Sequence, residues 1–110
     1  MTRELDRFFA AMADPTRRAV IEQLTAGRAT VSDLAAPHDM ALPSFMRHLK
    51  VLEDAGLVRS VKKGRVRTCV IEPAPLIEAQ GWLEWQRAVW EGRSDRMAAL
   101  AETLEEPHDA

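Results

Sequence analysis

Residues 57–71 settle the fold class, because they break the helical pattern of the rest of the chain. Val58, Val61, Val66, Thr68, Val70 and Ile71 make the stretch rich in β-branched side chains, and Lys63-Gly64 interrupts it at the middle. This reads as a β-hairpin, with glycine supplying the positive φ of a tight turn. The flanking segments follow helical spacing instead. Leu5, Phe8, Phe9 and Met12 stand at i, i+3, i+4 and i+7, one apolar stripe of a helix over 3–12. Asp14-Pro15 then offers an N-cap and a proline at the first helical position, where its missing N–H costs nothing. That helix runs to about Ala26, turns Ala19, Val20, Ile21 and Leu24 inward, and stops at Gly27. Thr30 with Asp33 three residues on resembles a capping box for a short helix from Val31 to Ala36.

A further helix begins at Pro43 and closes at Gly56. After Glu72-Pro73-Ala74-Pro75 breaks the second strand, Leu76, Trp82, Leu83, Trp85, Val89 and Trp90 return to helical spacing, followed by Met97, Leu100 and Leu104. Gly92 costs that helix about 1 kcal/mol relative to alanine and marks a place for a bend. The expected architecture is mostly α with a small β-hairpin: four helices, two strands, one helix.

A chain of 110 residues has room for one domain, expected over residues 1–106 with 107–110 as a frayed tail. One cysteine excludes an intramolecular disulfide framework and a multi-cysteine metal site within one chain. The opening Met1-Thr2-Arg3-Glu4-Leu5-Asp6-Arg7 is charged, unlike a secretory signal, and no run of about 18 apolar residues offers a membrane span. The expectation is a cytoplasmic protein with no membrane partner. No glycine-rich phosphate loop, Ser/His/Asp order or carboxylate pair in apolar surroundings suggests an enzyme, and no cofactor is implied. His38, His48 and His108 have no ligand-like spacing, so no metal site is expected.

The formal charge of −2 disfavours a nucleic-acid partner until the charges are placed along the chain. Residues 1–42 carry net −1 and residues 68–110 net −6. Between them, residues 43–67 hold seven basic and two acidic groups, net +5. That basic segment coincides with the helix from Pro43 and the hairpin after it. On a helical wheel Leu42, Phe45, Met46, Leu49 and Leu52 cluster on one side. Ser44, Arg47, Lys50, Val51 and Asp54 occupy the opposite arc, with His48 on its flank. Two short helices joined by a tight turn, the second with a polar and basic outer face, form a helix-turn-helix arrangement; the hairpin makes it a winged one.

The chemistry suits duplex DNA. A helix fits the major groove, where base edges display distinct donor and acceptor patterns. Arg47 is the candidate for a base contact, since its planar fork matches the two acceptors of guanine. Ser44 suits a phosphate or a base edge, and His48 a phosphate. Lys50, Lys62, Lys63, Arg65 and Arg67 are candidate phosphate contacts, which position without specifying.

These residues give the chain a recognisable pattern. Ala13-Asp14-Pro15-Thr16-Arg17-Arg18, Leu24-Thr25-Ala26-Gly27, Val31-Ser32-Asp33-Leu34-Ala35, Gly64-Arg65-Val66-Arg67 and above all Arg47-His48-Leu49 through Ala55-Gly56-Leu57-Val58 are the segments concerned. Through them the chain resembles the ArsR family of bacterial winged-helix repressors over nearly its whole length. The resemblance implies a cytoplasmic homodimer on a palindromic, inverted-repeat operator in double-stranded DNA, with dimer contacts from the first and last helices. Many relatives sense metals through Cys-x-Cys in the first helix of the DNA-binding motif, where this chain has Val31-Ser32-Asp33-Leu34. Others use Asp and His on the last helix, and Trp82 to Met97 contains no histidine. Metal sensing is therefore disfavoured; a small-molecule effector stays open and unidentified.

A dimer surface is suggested independently. Three tryptophans and several leucines on one late helix exceed what so small a domain easily buries, since it hides only about two-thirds of its surface. Leu5, Phe8, Phe9, Trp82, Trp85, Val89, Trp90 and Leu100 are the expected interface residues. Two alternatives remain at this level: a winged-helix adaptor that binds protein, and a thiol-based redox regulator acting through Cys69.

Overall fold

The computed structural model describes residues 3–105. They form α1 (Arg3–Met12), α2 (Pro15–Thr25), β1 (Ala29–Thr30), α3 (Val31–Ala35), α4 (Leu42–Asp54), β2 (Val58–Lys63), β3 (Val66–Ile71) and α5 (Ala74–Glu105). Contacts divide them into two compact units, one ending at Ala79 and one beginning at Gln80. Residues 107–110, expected as a frayed tail, lie outside the described residues.

The helix boundaries follow from local chemistry. Asp14 caps α2 by accepting a hydrogen bond from the Arg17 backbone N–H at 3.0 Å, with Pro15 at the start. Thr30 caps α3 in the same way, its hydroxyl accepting from the Asp33 N–H at 3.1 Å. The end of α4 is a Schellman turn. The Gly56 N–H donates to the Glu53 carbonyl at 2.9 Å and the Leu57 N–H to the Leu52 carbonyl at 3.0 Å. Gly56 takes φ 74°, which a β-carbon would resist, and Leu52 and Leu57 are both buried beside it. This turn feeds the chain from α4 directly into β2.

The three strands form an antiparallel sheet in the order β1-β3-β2. The hairpin lies where the sequence puts it, with Lys63 opposite Val66 and a two-residue loop of Gly64 and Arg65. Gly64 has φ 61° and Arg65 does not share the positive sign, the pattern of a type II′ turn. The strand β1 is an addition to the expected two. It spans two residues, too few to show alternation, and pairs Ala29 with Cys69 and Thr30 with Thr68 on the other edge of β3.

The core of the first unit is built from Val20 and Leu24 of α2, Leu34 of α3, Phe45, Leu49 and Leu52 of α4, Leu57, and Cys69 of β3. Ala19, expected inside, is half-buried. Leu42 departs from the expected apolar side of α4: it is 57% exposed, because it opens the helix one turn beyond the core's edge. In the second unit, α5 runs through Gly92 without a break. Leu83, Trp90, Met97 and Leu104 repeat every seven residues along it, and all four are exposed.

Candidate nucleic-acid interface

Helix α4 presents its polar arc because its other side is fixed by Phe45, Leu49 and Leu52, all essentially inaccessible. Arg47 is exposed, and its guanidinium donates to the Ser44 hydroxyl at 3.2 Å, so the two candidate base-contacting groups are neighbours. Lys50 stands 3.5 Å from Asp54 one turn on, an exposed pair of little energetic weight. His48 is half-buried, and its Nδ1 lies 3.0 Å from an Arg17 nitrogen and 3.6 Å from the Asp14 carboxylate. Asp14 is pulled two ways. Burial raises its pKa, but the Arg17 N–H and the positive charges beside it, that of His48 when protonated and that of Arg17, outweigh this and leave it below the ordinary aspartate value.

The wing's cations are not equivalent. Residues opposite one another across an antiparallel pair share a face, and successive residues alternate. Lys62 pairs with Arg67, and Ser60 with the buried Cys69, so Lys62 and Arg67 belong to the face that looks toward the core and α4. Lys63 belongs to the opposite face with Val61, Thr68 and Val70, where a shallow cleft of about 360 Å³ also admits Arg28 and Arg59. The pleat thus divides the wing's cations between the two faces of the sheet.

Arg67 is also less free than its charge suggests. It donates to the Ser60 hydroxyl at 3.0 Å, Ser60 donates to the Glu53 carboxylate at 2.8 Å, and the Arg67 guanidinium lies 3.9 Å from that carboxylate. This chain ties β2 and β3 to the last turn of α4. Arg59 is likewise engaged, with Glu72 at 2.7 Å. Among the described residues Lys62, Lys63 and Arg65 have no acidic partner. Lys62, Arg65 and Arg67 line a second cleft, about 440 Å³, with Thr30, Ser32, Leu42 and Met46. The exposed Leu42 and the hydroxyls of Thr30 and Ser32 sit between helix and wing, a set that spacing along α4 alone does not indicate.

The expected dimer residues separate into two groups. Leu5 and Phe8 are buried within the chain, 4% and 8% exposed, because the inward stripe of α1 is already used against its own unit. This corrects their assignment to a shared face. Phe9 and Trp82 are half-buried, whereas Trp85, Val89, Trp90 and Leu100 are exposed. Trp90 carries the Arg93 guanidinium 4.9 Å from its ring centre.

Cys69 is fully buried in the middle strand of the sheet. Burial, and then the nearby Glu53 charge, push its thiol up against a smaller opposing effect of Arg67. A buried thiol with a raised pKa is a poor nucleophile, which counts against the redox alternative. His38 stacks on Phe45 at 5.6 Å and meets the Gln23 side chain at 3.1 Å, a packing role between α2 and α4. No described helix is long and apolar enough to cross a membrane.

The chain is also similar to known proteins. A family model described as a helix-turn-helix domain matches residues 12–61. The HTH-type transcriptional regulator Rv2034 of Mycobacterium tuberculosis is 37% identical over 89 residues, covering 79% of this chain and 83% of that protein. The crystal structure of an ArsR family transcriptional regulator, RHA00566, is 56% identical with a TM-score of 0.78, covering 80% of this chain and 91% of the other. An ArsR-like transcriptional regulator from Rhodococcus sp. RHA1 is 32% identical with a TM-score of 0.83, covering 96% and 100% respectively.

Proposed function

The chain belongs to the ArsR family of winged helix-turn-helix transcriptional regulators, and on that premise we propose that it acts as a homodimeric repressor on an inverted-repeat operator. The observation that carries this reading is the pairing of a core-anchored α4, whose exposed arc holds Ser44 and Arg47, with unpartnered cations on the adjoining wing. Arg47 reads a base, and Ser44 takes a base edge or phosphate. Lys50, Lys62 and Arg65 neutralise phosphates. Arg67 chiefly fixes the wing against α4 through Ser60 and Glu53, and Lys63 reaches only DNA that passes the outer face of the sheet.

Dimerisation is assigned to α5. Trp85, Val89, Trp90, Met97, Leu100 and Leu104 are exposed on one helix, and such a patch on a small protein needs a partner. A second copy supplies a matching seven-residue stripe. Residues 1–106 then work as one DNA-binding and dimerising chain in the cytoplasm. Two recognition helices about 34–36 Å apart enter successive major grooves, which is why the operator is an inverted repeat. Occupancy of that site excludes the transcription machinery.

Selection of binding sequences from random duplexes by the purified protein tests this. The expected product is a two-fold symmetric site with half-sites one helical turn apart. A single asymmetric half-site, or enrichment of nothing, overturns it. Arg47→Ala then costs about 1–3 kcal/mol and relaxes preference at one base position. Complete absence of salt-dependent DNA binding would leave the adaptor reading in its place.

A further inference from the structure

Arg17 lies outside the basic segment, yet it joins three helices. Its Nε donates to the Ala11 carbonyl at 2.7 Å and its Nη2 to the Ala10 carbonyl at 3.1 Å. These are carbonyls of the last turn of α1, which have no donor within their own helix. Its backbone N–H meets the Asp14 carboxylate at 3.0 Å, at the start of α2. Its Nη1 lies 3.0 Å from His48 Nδ1 on α4.

The Asp14 carboxylate also approaches His48 Nδ1, at 3.6 Å, but the Arg17 contact is the only one within hydrogen-bond distance among the described residues, and it assigns the tautomer. A guanidinium only donates, so His48 Nδ1 accepts and carries no proton. In a neutral ring the remaining proton is then on Nε2. No hydrogen-bond partner for Nε2 exists among the described residues. No buried side-chain nitrogen or oxygen among them goes unpartnered either, so Nε2 reaches solvent. His48 stands on the flank of the arc formed by Ser44, Arg47 and Val51, the edge of a recognition helix beside which a DNA strand runs.

We propose that Arg17 is a positioning residue for DNA binding: it closes the end of α1 and sets His48 in the Nε2–H tautomer, so that α4 aims a neutral N–H donor at a DNA phosphate. This rests on the DNA-binding reading above and adds to it. The guanidinium does two tasks through one rigid fork, which a lysine has no geometry to copy.

Two measurements test it. Long-range ¹⁵N–¹H spectra of the free protein with its imidazoles neutral report which ring nitrogen is protonated. The expected pattern is an unprotonated Nδ1 and a protonated Nε2 in the wild type, with the two tautomers mixed in Arg17→Met. A mixture in the wild type overturns the proposal. The second measurement is affinity for a selected duplex, and it does not depend on Arg17→Met folding. His48→Gln places an amide N–H near the Nε2 position and is expected to bind within about threefold of wild type. His48→Asn keeps an acceptor near Nδ1 but lacks the outward donor, and is expected to bind about tenfold more weakly on all sequences. Equal affinities of the two variants, on a duplex the wild type binds, overturn this inference alone. Failure of the wild type to bind any duplex overturns the DNA reading itself, whatever the tautomer.

Discussion

Helix α4 and the part of α5 beyond Gln80 both carry a line of large apolar side chains, but they end in opposite environments. In α4, Phe45, Leu49 and Leu52 are essentially inaccessible, and the polar arc faces out. In α5, Trp85, Trp90, Met97 and Leu104 are all more than half exposed. Amphipathic spacing states that a helix needs a covering surface, not where that surface comes from. For α4 it comes from α1, α2 and β2 within the same unit. Beyond Gln80 these α5 side chains stay exposed among the described residues, and a second copy is the proposed cover.

The sharpest way to break this contrast is to cut into both helices. Phe45→Ala is expected to lose about 3–5 kcal/mol of unfolding free energy, since it removes a fully buried ring from a filled core. A urea melt reads that, and a loss below about 1 kcal/mol means the core is not where we place it. Met97→Asp with Leu100→Asp should leave the first unit folded while weakening self-association about a hundredfold, equivalent to about 3 kcal/mol. Sedimentation velocity checks it; an unchanged dimer mass removes α5 from the interface.

A smaller effect tests how α4 is held from α2. Asp14→Ala should cost about 1 kcal/mol at neutral pH through the lost cap. The folded-state pKa of Asp14 is below its ordinary value, so its carboxylate stabilises the fold above the ordinary pKa. That contribution is lost as pH falls through the folded value. The gap between wild type and Asp14→Ala in a series of acid melts should therefore narrow below about pH 4. A gap that stays constant into acid leaves the cap without its charge. The smallest effect separates the wing's two faces. Lys62→Ala should lower the slope of log affinity against log salt by about 1, and Lys63→Ala by less. Equal slopes would mean that DNA contacts both faces of the sheet.

Much of this was readable from residue order. Asp14-Pro15, Thr30 with Asp33, and Gly56 each specify a helix end by chemistry that acts within four residues. The hairpin loop was legible because only glycine adopts φ 61° at no steric cost. Two-residue β1 was not, because its identity as a strand lies in its pairing with Cys69 and Thr68 forty residues away. The site divides the same way. Arg47, Ser44 and the wing cations follow from charge and helical spacing. The role of Arg17 does not, although its Asp-Pro-Thr-Arg-Arg segment stands out, because its partners lie on two other helices.

By itself, then, the sequence determined the order of the helices and the hairpin, their caps and turns, and the concentration of positive charge on α4 and the hairpin. These are consequences of local bonding and of periodicity along a single segment. The tertiary structure alone decided that Leu5 and Phe8 are core, that Arg67 is tied to Glu53, and that Lys62, not Lys63, takes the face toward the core. Each of those depends on which residue of another segment arrives within a few ångströms. That is a matter of register and packing, and the side chain's own identity does not encode it.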